Sequence, residues 1–317
     1  MNADDGAAMS DVMIRVEHVW RYYSRLCALQ DVSFEVRRGE VLGFLGPNGA
    51  GKSTTMQIIS GNLAPTRGRV WINGIDILDE PKQAKAHIGF LPELPPLYRE
   101  LTVDEYLQYC ARLHAIPRPR ERAAIDIAKQ RCGLTAVGQR LIGNLSKGYR
   151  QRVGIAQAIL HMPAVVILDE PTAGLDPNQI HEMRLLIREL SAEHSVILST
   201  HILPEVQAVC DQVQIIHRGE LVLKDSIEGL VSRMQGTSLR VGLRTPPALS
   251  VLEAMAGVQG AELLEDGAVR LYCSGQGVAE TLAMQAAAQG WGLYELSPER
   301  LSLEQVFMEL TRSEQAA

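Results

Sequence analysis

The sequence predicts an α/β fold built on a parallel sheet, with a helical insert inside it and a smaller α+β domain behind it. Three observations carry that prediction. Up to Gly219, short apolar runs alternate with stretches of helical spacing, as in strands paired in parallel and covered on both faces. Between Thr102 and Leu160 the strand pattern gives way to three consecutive helices. After Gly219 the order becomes βαββαβ plus a helix, which fits a ferredoxin-like domain.

Each element has its own signal. Met1 to Asp11 is small and polar, and is expected to be disordered. Met13 to Glu17 and Val32 to Val36 alternate as strands, and Arg37 to Glu40 forms a turn. Val41 to Leu45 is a buried strand running into Gly46 to Thr54, after which Thr55 to Ile59 continues as a helix. Arg69 to Gly74 and His87 to Leu91 are further strands. Thr102 and Glu105 have capping-box spacing and open a helix running to His114. Helices from Pro119 to Cys132 and from Ser146 to Leu160 complete the insert. Strands return at Ala164 to Leu168, Ser195 to Ser199 and Gln212 to His217, with helices at Pro177 to Ala192 and Leu203 to Cys210 between them. The second domain reads as strand Ser238 to Leu243, helix Leu249 to Ala256, strands Ala261 to Leu264 and Val269 to Cys273, helix Val278 to Ala288, strand Gly292 to Leu296 and helix Leu303 to Leu310.

The composition narrows the function classes. At 317 residues, 46% hydrophobic and 21% charged, the chain has enough apolar material for a large core and two domains. Its longest apolar runs fall well short of the ~20 residues of a membrane-spanning helix, and Met1 to Gly6 lacks a secretory signal's pattern. Five widely spaced cysteines, with no C-x-x-C pair, read as reduced and mostly buried thiols, not a disulfide or zinc framework. A net charge of -6 argues against a general nucleic-acid binder and against adsorption to anionic lipid.

Gly46, Gly51, Lys52 and Ser53 have the spacing of a phosphate-binding loop. The glycines let successive amides face inward around phosphate oxygens, and the following helix aims its unpaired donors at the same place. Lys52 reaches the terminal phosphates and the Ser53 hydroxyl suits Mg2+. Val165 to Leu168 is a buried strand ending in Asp169 and Glu170, so both carboxylates stand at the carboxyl end of a parallel strand, where the ligand crevice lies. Asp169 then holds Mg2+ opposite Ser53, and Glu170 orients and deprotonates a water. His201 ends another core strand and faces the same crevice as a γ-phosphate contact. Ser146 caps a helix on which Gly148 leaves room for close backbone approach, a second anion-seeking helix terminus in one chain.

With these motifs in this order, the chain resembles the ATP-binding subunit of an ABC transporter from Val12 to about Leu223. The resemblance identifies Gly46, Pro47, Asn48, Gly49, Ala50, Gly51, Lys52, Ser53 and Thr54 as Walker A, and Val165 to Asp169 as Walker B with Glu170 as the catalytic acid. It makes Ala173 to Asp176 the D-loop and His201 the H-loop histidine, and gives Leu145 to Tyr149 the signature position. Tyr23, or its neighbour Tyr22, falls at the aromatic position that stacks on adenine. The fold implied is a P-loop NTPase ABC nucleotide-binding domain with a RecA-like core and antiparallel β and helical subdomains, joined to the C-terminal ferredoxin-like domain. Domain limits of 12–229 (helical part about 94–160) and 230–317 follow.

The family's ATPase cycle implies ATP and Mg2+, a head-to-tail dimer whose Ser146, Gly148 and Asp176 reach the partner's nucleotide, and integral-membrane permease subunits. It implies a cytoplasmic chain, peripheral on the inner face of the cell membrane. Two departures stand out. The usual L-S-G-G-Q reads Leu145-Ser146-Lys147-Gly148-Tyr149, with an extra cation near the shared nucleotide or interface. Glu93 replaces the Q-loop glutamine, keeping an oxygen for Mg2+ but losing the amide donor. Both, and the tail from Leu301 to Thr311, are similar to ABC-2 type subunits of the multidrug-export and gliding-motility group, which favours export. A soluble ABC ATPase acting on a macromolecular complex is the rival reading. The chain lacks the paired nucleotide domains or coiled coils of such proteins, and it lacks the N-K-x-D segment of a GTPase.

Overall fold

The computed structural model describes residues 11–234, 238–264, 266–273 and 277–299. The expected N-terminal disorder, apart from Asp11, and the expected helix from Leu303 to Leu310 lie outside these residues. Asp11 itself is tied into the fold, its carbonyl accepting from Arg38 N at 2.9 Å.

Strands β1 (Val12–Tyr23) and β2 (Leu26–Arg37) form an antiparallel hairpin, with Val16 opposite Phe34 and Val19 opposite Val32. They are longer than their alternating apolar segments suggest. The chain then leaves this sheet for β3 (Val41–Leu45), the loop Gly46 to Gly51 and helix α1 (Lys52–Ile59). It returns in β4 (Arg67–Ile72) and the two-residue β5 (Ile75–Asp76), so the first sheet is antiparallel in the order β2-β1-β4-β5.

Helix α2 (Pro81–Ala86) leads to β6 (Ile88–Leu91). The helical insert follows as α3 (Val103–Leu113), α4 (Arg118–Arg131) and α5 (Lys147–Ile159). The capping box is present: Thr102 Oγ1 accepts from Glu105 N at 3.2 Å, and the Glu105 carboxylate accepts from Thr102 N at 2.8 Å. Such a cap is worth about 1 kcal/mol.

The remaining core elements are β7 (Val165–Asp169), α6 (Pro177–Ser191), β8 (Ser195–Thr200), α7 (Leu203–Val209), β9 (Gln212–His217) and β10 (Glu220–Ser226), after which α8 (Ile227–Met234) begins. The second sheet runs β10-β9-β3-β8-β7-β6, parallel from β9 to β6, with β10 antiparallel at its edge. Every residue of β3, β7 and β8 is buried, as expected for strands covered on both faces. The two sheets share one core, where Phe34 meets Phe44 with ring centroids 5.6 Å apart among Ile14, Val36, Met56 and Val70. Helix α5 lies directly on β6, since a Cβ at Gly89 would stand 2.2 Å from Ala158 O. The effect of this layering is to bring the carboxyl ends of β3, β7 and β8 together.

The contacts divide the chain into two compact units between Ile227 and Glu228. The second contains β11 (Ser238–Leu243), α9 (Leu249–Glu253), β12 (Val258–Leu263), β13 (Val269–Cys273), α10 (Val278–Ala288) and β14 (Leu293–Glu299). Its antiparallel order β12-β13-β11-β14 is the ferredoxin-like arrangement, with its own core around Val241, Leu252, Leu271 and Leu282. Helix α9 stops three residues before the expected Ala256, and the last strand runs on to Glu299.

Candidate functional site

The loop from Gly46 to Gly51 leaves the carboxyl end of β3 and turns into α1. Gly51 caps α1 at φ 113°, a left-handed conformation, and a Cβ there would meet Leu29 at 2.8 Å and Ala28 O at 2.9 Å. A glycine cap brings no side-chain acceptor, and the first turn of α1 holds no acid. The amides at this helix start are therefore left for an anion. Lys52 is buried at 6% exposure, and its Nζ donates to Gly46 O at 2.9 Å and Pro47 O at 3.3 Å. The turn after β9 steadies the loop from behind: Gly219 N donates to Ala50 O at 2.9 Å, and Gln30 N donates to Gly219 O at 2.8 Å.

Two acids stand at the end of β7. Asp169 is buried, and its Oδ1 has no hydrogen-bond partner. An unpaired carboxylate oxygen at this depth is costly unless something positive meets it, and the chemistry of a hard oxygen donor suits Mg2+. Glu170 holds a positive φ of 49°, and its amide donates to Ser199 O at 2.9 Å across to β8. A non-glycine residue in that region stores backbone strain of the kind found at functional sites. Glu170 Oε1 lies 3.5 Å from Lys52 Nζ, and His201 Nδ1 stands 3.0 Å from each Glu170 carboxylate oxygen. The structure thus joins three sequence-predicted residues, one from the start of α1 and two from beyond the ends of β7 and β8, into one contact chain, Lys52, Glu170 and His201.

A cleft of about 760 Å³ opens over this chain. Its walls include Tyr23, Asn48, Gly49, Ser53, Thr54 and Glu93. Of the two tyrosines the sequence offered, Tyr23 lines the cleft, with the Arg21 guanidinium 4.8 Å from its ring centre, whereas Tyr22 is not among the lining residues and stacks on Trp20. Gly46, Pro47, Ala50 and Asp169 are not among the lining residues; the Gly46 and Pro47 carbonyls accept from Lys52 Nζ and the Ala50 carbonyl from Gly219 N. Sequence reasoning missed Arg218, which reaches the cleft from the turn after β9. Its only sequence signal is a cation before Gly219 between two strands.

Ser146, Gly148 and Asp176 do not join this group. They line a separate cleft of about 690 Å³ with Tyr149, Gln179 and Arg152. Ser146 caps α5, its Oγ accepting from Tyr149 N at 3.3 Å, and Asp176 caps α6, its Oδ1 accepting from Gln179 N at 2.9 Å. Gly148 is buried against Gln179, where a Cβ would come within 2.8 Å of Oε1. Lys147 is exposed and extends along the neighbouring loop, with Nζ 2.5 Å from where a Cβ on Gly174 would stand. Within one chain, therefore, the predicted nucleotide-contacting residues separate into two groups.

Residues 29–173 match the model of the ABC transporter family. The ABC transporter ATP-binding protein NatA of Bacillus subtilis (strain 168) is 40% identical over 205 residues, covering 64% of this chain and 83% of its own. The bacitracin transport ATP-binding protein BcrA of Bacillus licheniformis is 34% identical over 301 residues, covering 94% and 97%. Among solved structures, the dimeric structure of MJ0796, a bacterial ABC transporter cassette, superposes with a TM-score of 0.63 at 25% identity, covering 68% of this chain and 99% of that one.

Proposed function

This chain belongs to the ABC transporter family, and from that premise we propose which of its residues bind ATP, which hydrolyse it and where the subunit works. It is an ATP-hydrolysing subunit that dimerises and acts with membrane permease subunits. Residues 12–229 are the ATP-binding domain, with 94–160 as its helical part, and 230–317 an accessory domain; the division of contacts between Ile227 and Glu228 supports that boundary.

The observation that carries the residue roles is the Lys52–Glu170–His201 contact chain beneath a glycine loop. Amides from Gly49 to Thr54 and the Lys52 ammonium take the phosphates, with Lys52 exchanging the Gly46 and Pro47 carbonyls for phosphate oxygens. Tyr23 packs on the base. Ser53 and Asp169 hold Mg2+, with Glu93 on the same cleft wall, and the unpaired Oδ1 of Asp169 fits that assignment. When bound, Mg2+ supplies positive charge to oxygens of the γ-phosphoryl group.

Once phosphates draw Lys52 away, Glu170 is free to accept a proton from the attacking water, and His201 keeps its carboxylate aimed. Ser146, Gly148 and Asp176 of a second copy close over the nucleotide, because in their own chain they open on a different cleft. Binding then stabilises the closed pair and hydrolysis releases it.

Among the described residues no helix is long and apolar enough to cross a membrane. We place the subunit on the cytoplasmic face of the cell membrane, held there by its permease partners, and assign it to export. The ABC-2 type resemblance supports the direction. Lys52→Ala tests the phosphate site: fluorescent-ATP titration is expected to show affinity lowered about 10- to 100-fold, the loss of one or two charge-assisted hydrogen bonds. Unchanged affinity and turnover would remove the assignment.

A further inference from the structure

Glu170 and His201 stand just past the ends of β7 and β8, and segments beyond a strand end hold their geometry only where something fixes them. Behind the cleft wall, outside the residues that line it, lies a buried carboxylate. Glu205, in the first turn of α7, is 2% exposed. Its Oε1 accepts from Thr172 Oγ1 at 2.6 Å and its Oε2 accepts from Thr200 Oγ1 at 2.8 Å. Both threonines are buried, at 4% and 0% exposure. Thr200 Oγ1 accepts in turn from Ile202 N at 3.1 Å, a hydrogen bond that spans His201 in the sequence.

The two threonines belong to the two segments that must stay in register. Thr172 lies two residues after Glu170 and at the entrance to the Ala173–Asp176 loop, while Thr200 immediately precedes His201. A single carboxylate therefore clamps the segment carrying the acid to the segment carrying the histidine, one oxygen to each. The contact it serves is the one already described, His201 Nδ1 at 3.0 Å from both oxygens of Glu170.

A charge this deeply buried is retained at a cost, and an apolar side chain would fill the space more cheaply. Two hydroxyl donors matched to two acceptor oxygens make the charge tolerable and fix distance and angle more tightly than packing does.

We propose that Glu205 is a positioning residue for ATP hydrolysis, acting through Thr172 and Thr200 to hold Glu170 and His201 in their productive contact. This rests on the roles given above to Glu170 and His201. It makes Glu205 a determinant of kcat, not of nucleotide binding, because neither it nor the two threonines line the cleft. It also ties the Ala173–Asp176 loop, which reaches the second cleft at Asp176, to the hydrolytic pair of the first.

The test uses the purified full chain and measures steady-state ATPase and fluorescent-ATP affinity for Glu205→Gln, Thr172→Val, Thr200→Val and Thr172→Ser, beside Glu170→Gln and His201→Ala. Glu205→Gln keeps the volume and one acceptor, and each valine removes only a hydroxyl. Each of these three is expected to lower kcat about 10-fold or more with ATP affinity within about 3-fold of the parent. Thr172→Ser, which keeps the hydroxyl, recovers most of what Thr172→Val loses. Adding Glu205→Gln to His201→Ala causes less than about a 3-fold further loss, because both changes act on one contact.

Parental kcat in Glu205→Gln and both valine variants would overturn the proposal while leaving the Glu170 and His201 roles standing. So would equal losses from Thr172→Ser and Thr172→Val, or a full 10-fold loss from Glu205→Gln in the His201→Ala background. Parental kcat in Glu170→Gln or His201→Ala would instead overturn the reading on which it rests. Should a valine variant lose folded protein by circular dichroism, Glu205→Gln and the His201→Ala double variant still decide the matter.

Discussion

Glu170→Gln is the substitution whose consequences the geometry fixes most closely. The Glu170 carboxylate lies 3.5 Å from the Lys52 ammonium, and both side chains are under 10% exposed. At the effective dielectric of about 20 that suits such sites, unit charges at that spacing attract by about 5 kcal/mol before desolvation is charged against them. ATP binding has to break this pair, since Lys52 turns to the phosphates. An uncharged glutamine removes the competition, so about 1–2 kcal/mol of that attraction reappears as tighter binding, roughly 5- to 30-fold in affinity. The same substitution removes the proton acceptor, which costs turnover about 10²- to 10⁴-fold. The variant is therefore expected to bind ATP more tightly than the parent, hydrolyse it very slowly and accumulate as an ATP-bound dimer. Fluorescent-ATP titration, single-turnover hydrolysis and size-exclusion chromatography read the three effects separately. If the variant kept more than a tenth of parental turnover, Glu170 would not be the base; if its affinity fell, the Lys52–Glu170 pair would not be what ATP displaces.

The two-cleft arrangement predicts complementation. Lys52→Ala and Gly148→Asp each inactivate a homodimer, but an equimolar mixture brings an intact loop from one chain to an intact Ser146 edge from the other. About a quarter of parental ATPase should return if each heterodimer holds one working site in two, and no recovery would mean that both halves act within a single chain. A pH effect on stability is expected from His161, whose ring stacks on His114 at 3.9 Å and whose Nε2 approaches Ile88 O at 3.1 Å. Burial, with His114 adding to it, pushes His161 down to about 4 from an ordinary value near 6.5. Between those values the unfolded chain binds the proton and the folded one does not, so stability is full above 6.5 and lost as pH falls toward 4, by up to about 3 kcal/mol. Urea midpoints measured from pH 7 to pH 4.5 should flatten in His161→Asn, and an unchanged slope in that variant would assign the effect elsewhere.

The site was legible in the sequence where its signals are local. Gly46 to Thr54 and the Asp169–Glu170 pair each need only a strand, a turn and a few residues of spacing, and the sheet then does the assembling by bringing β3, β7 and β8 to one edge. Tyr23 against Tyr22 could not be decided in that way. The β1–β2 pairing shifts register between Val19 and Arg21 and again between Arg21 and Tyr22, and each shift breaks the alternation that tells one face from the other. Strand β10 went unread because it is an edge strand, half-exposed and carrying Lys224 and Asp225, so it lacks the apolar run that marks its neighbours. Glu205 looks in sequence like any acid in a helix's first turn, and only the folded chain shows two threonine hydroxyls, 33 and 5 residues away, converging on it.

The two departures from the family pattern follow from the same partition. Glu93 stands on the wall of the first cleft, and on the proposed reading its charge acts on the nucleotide taken up there by its own chain. It keeps an acceptor oxygen for a cation and loses only the donor that an amide would offer. Lys147 opens α5 between Ser146 and Gly148, and it leaves the helix terminus intact: Ser146 Oγ still caps Tyr149 N, Gly148 is still buried, and the lysine side chain runs toward Gly174. One departure adds a negative charge and the other a positive one. Within one chain Lys147 does not line the cleft that holds Glu93, but the proposed head-to-tail pair brings one Glu93 and one Lys147 to each composite site. The assembled site then carries the same formal charge as one built with a neutral amide and a glycine, and the consequence of either residue is properly judged on the dimer.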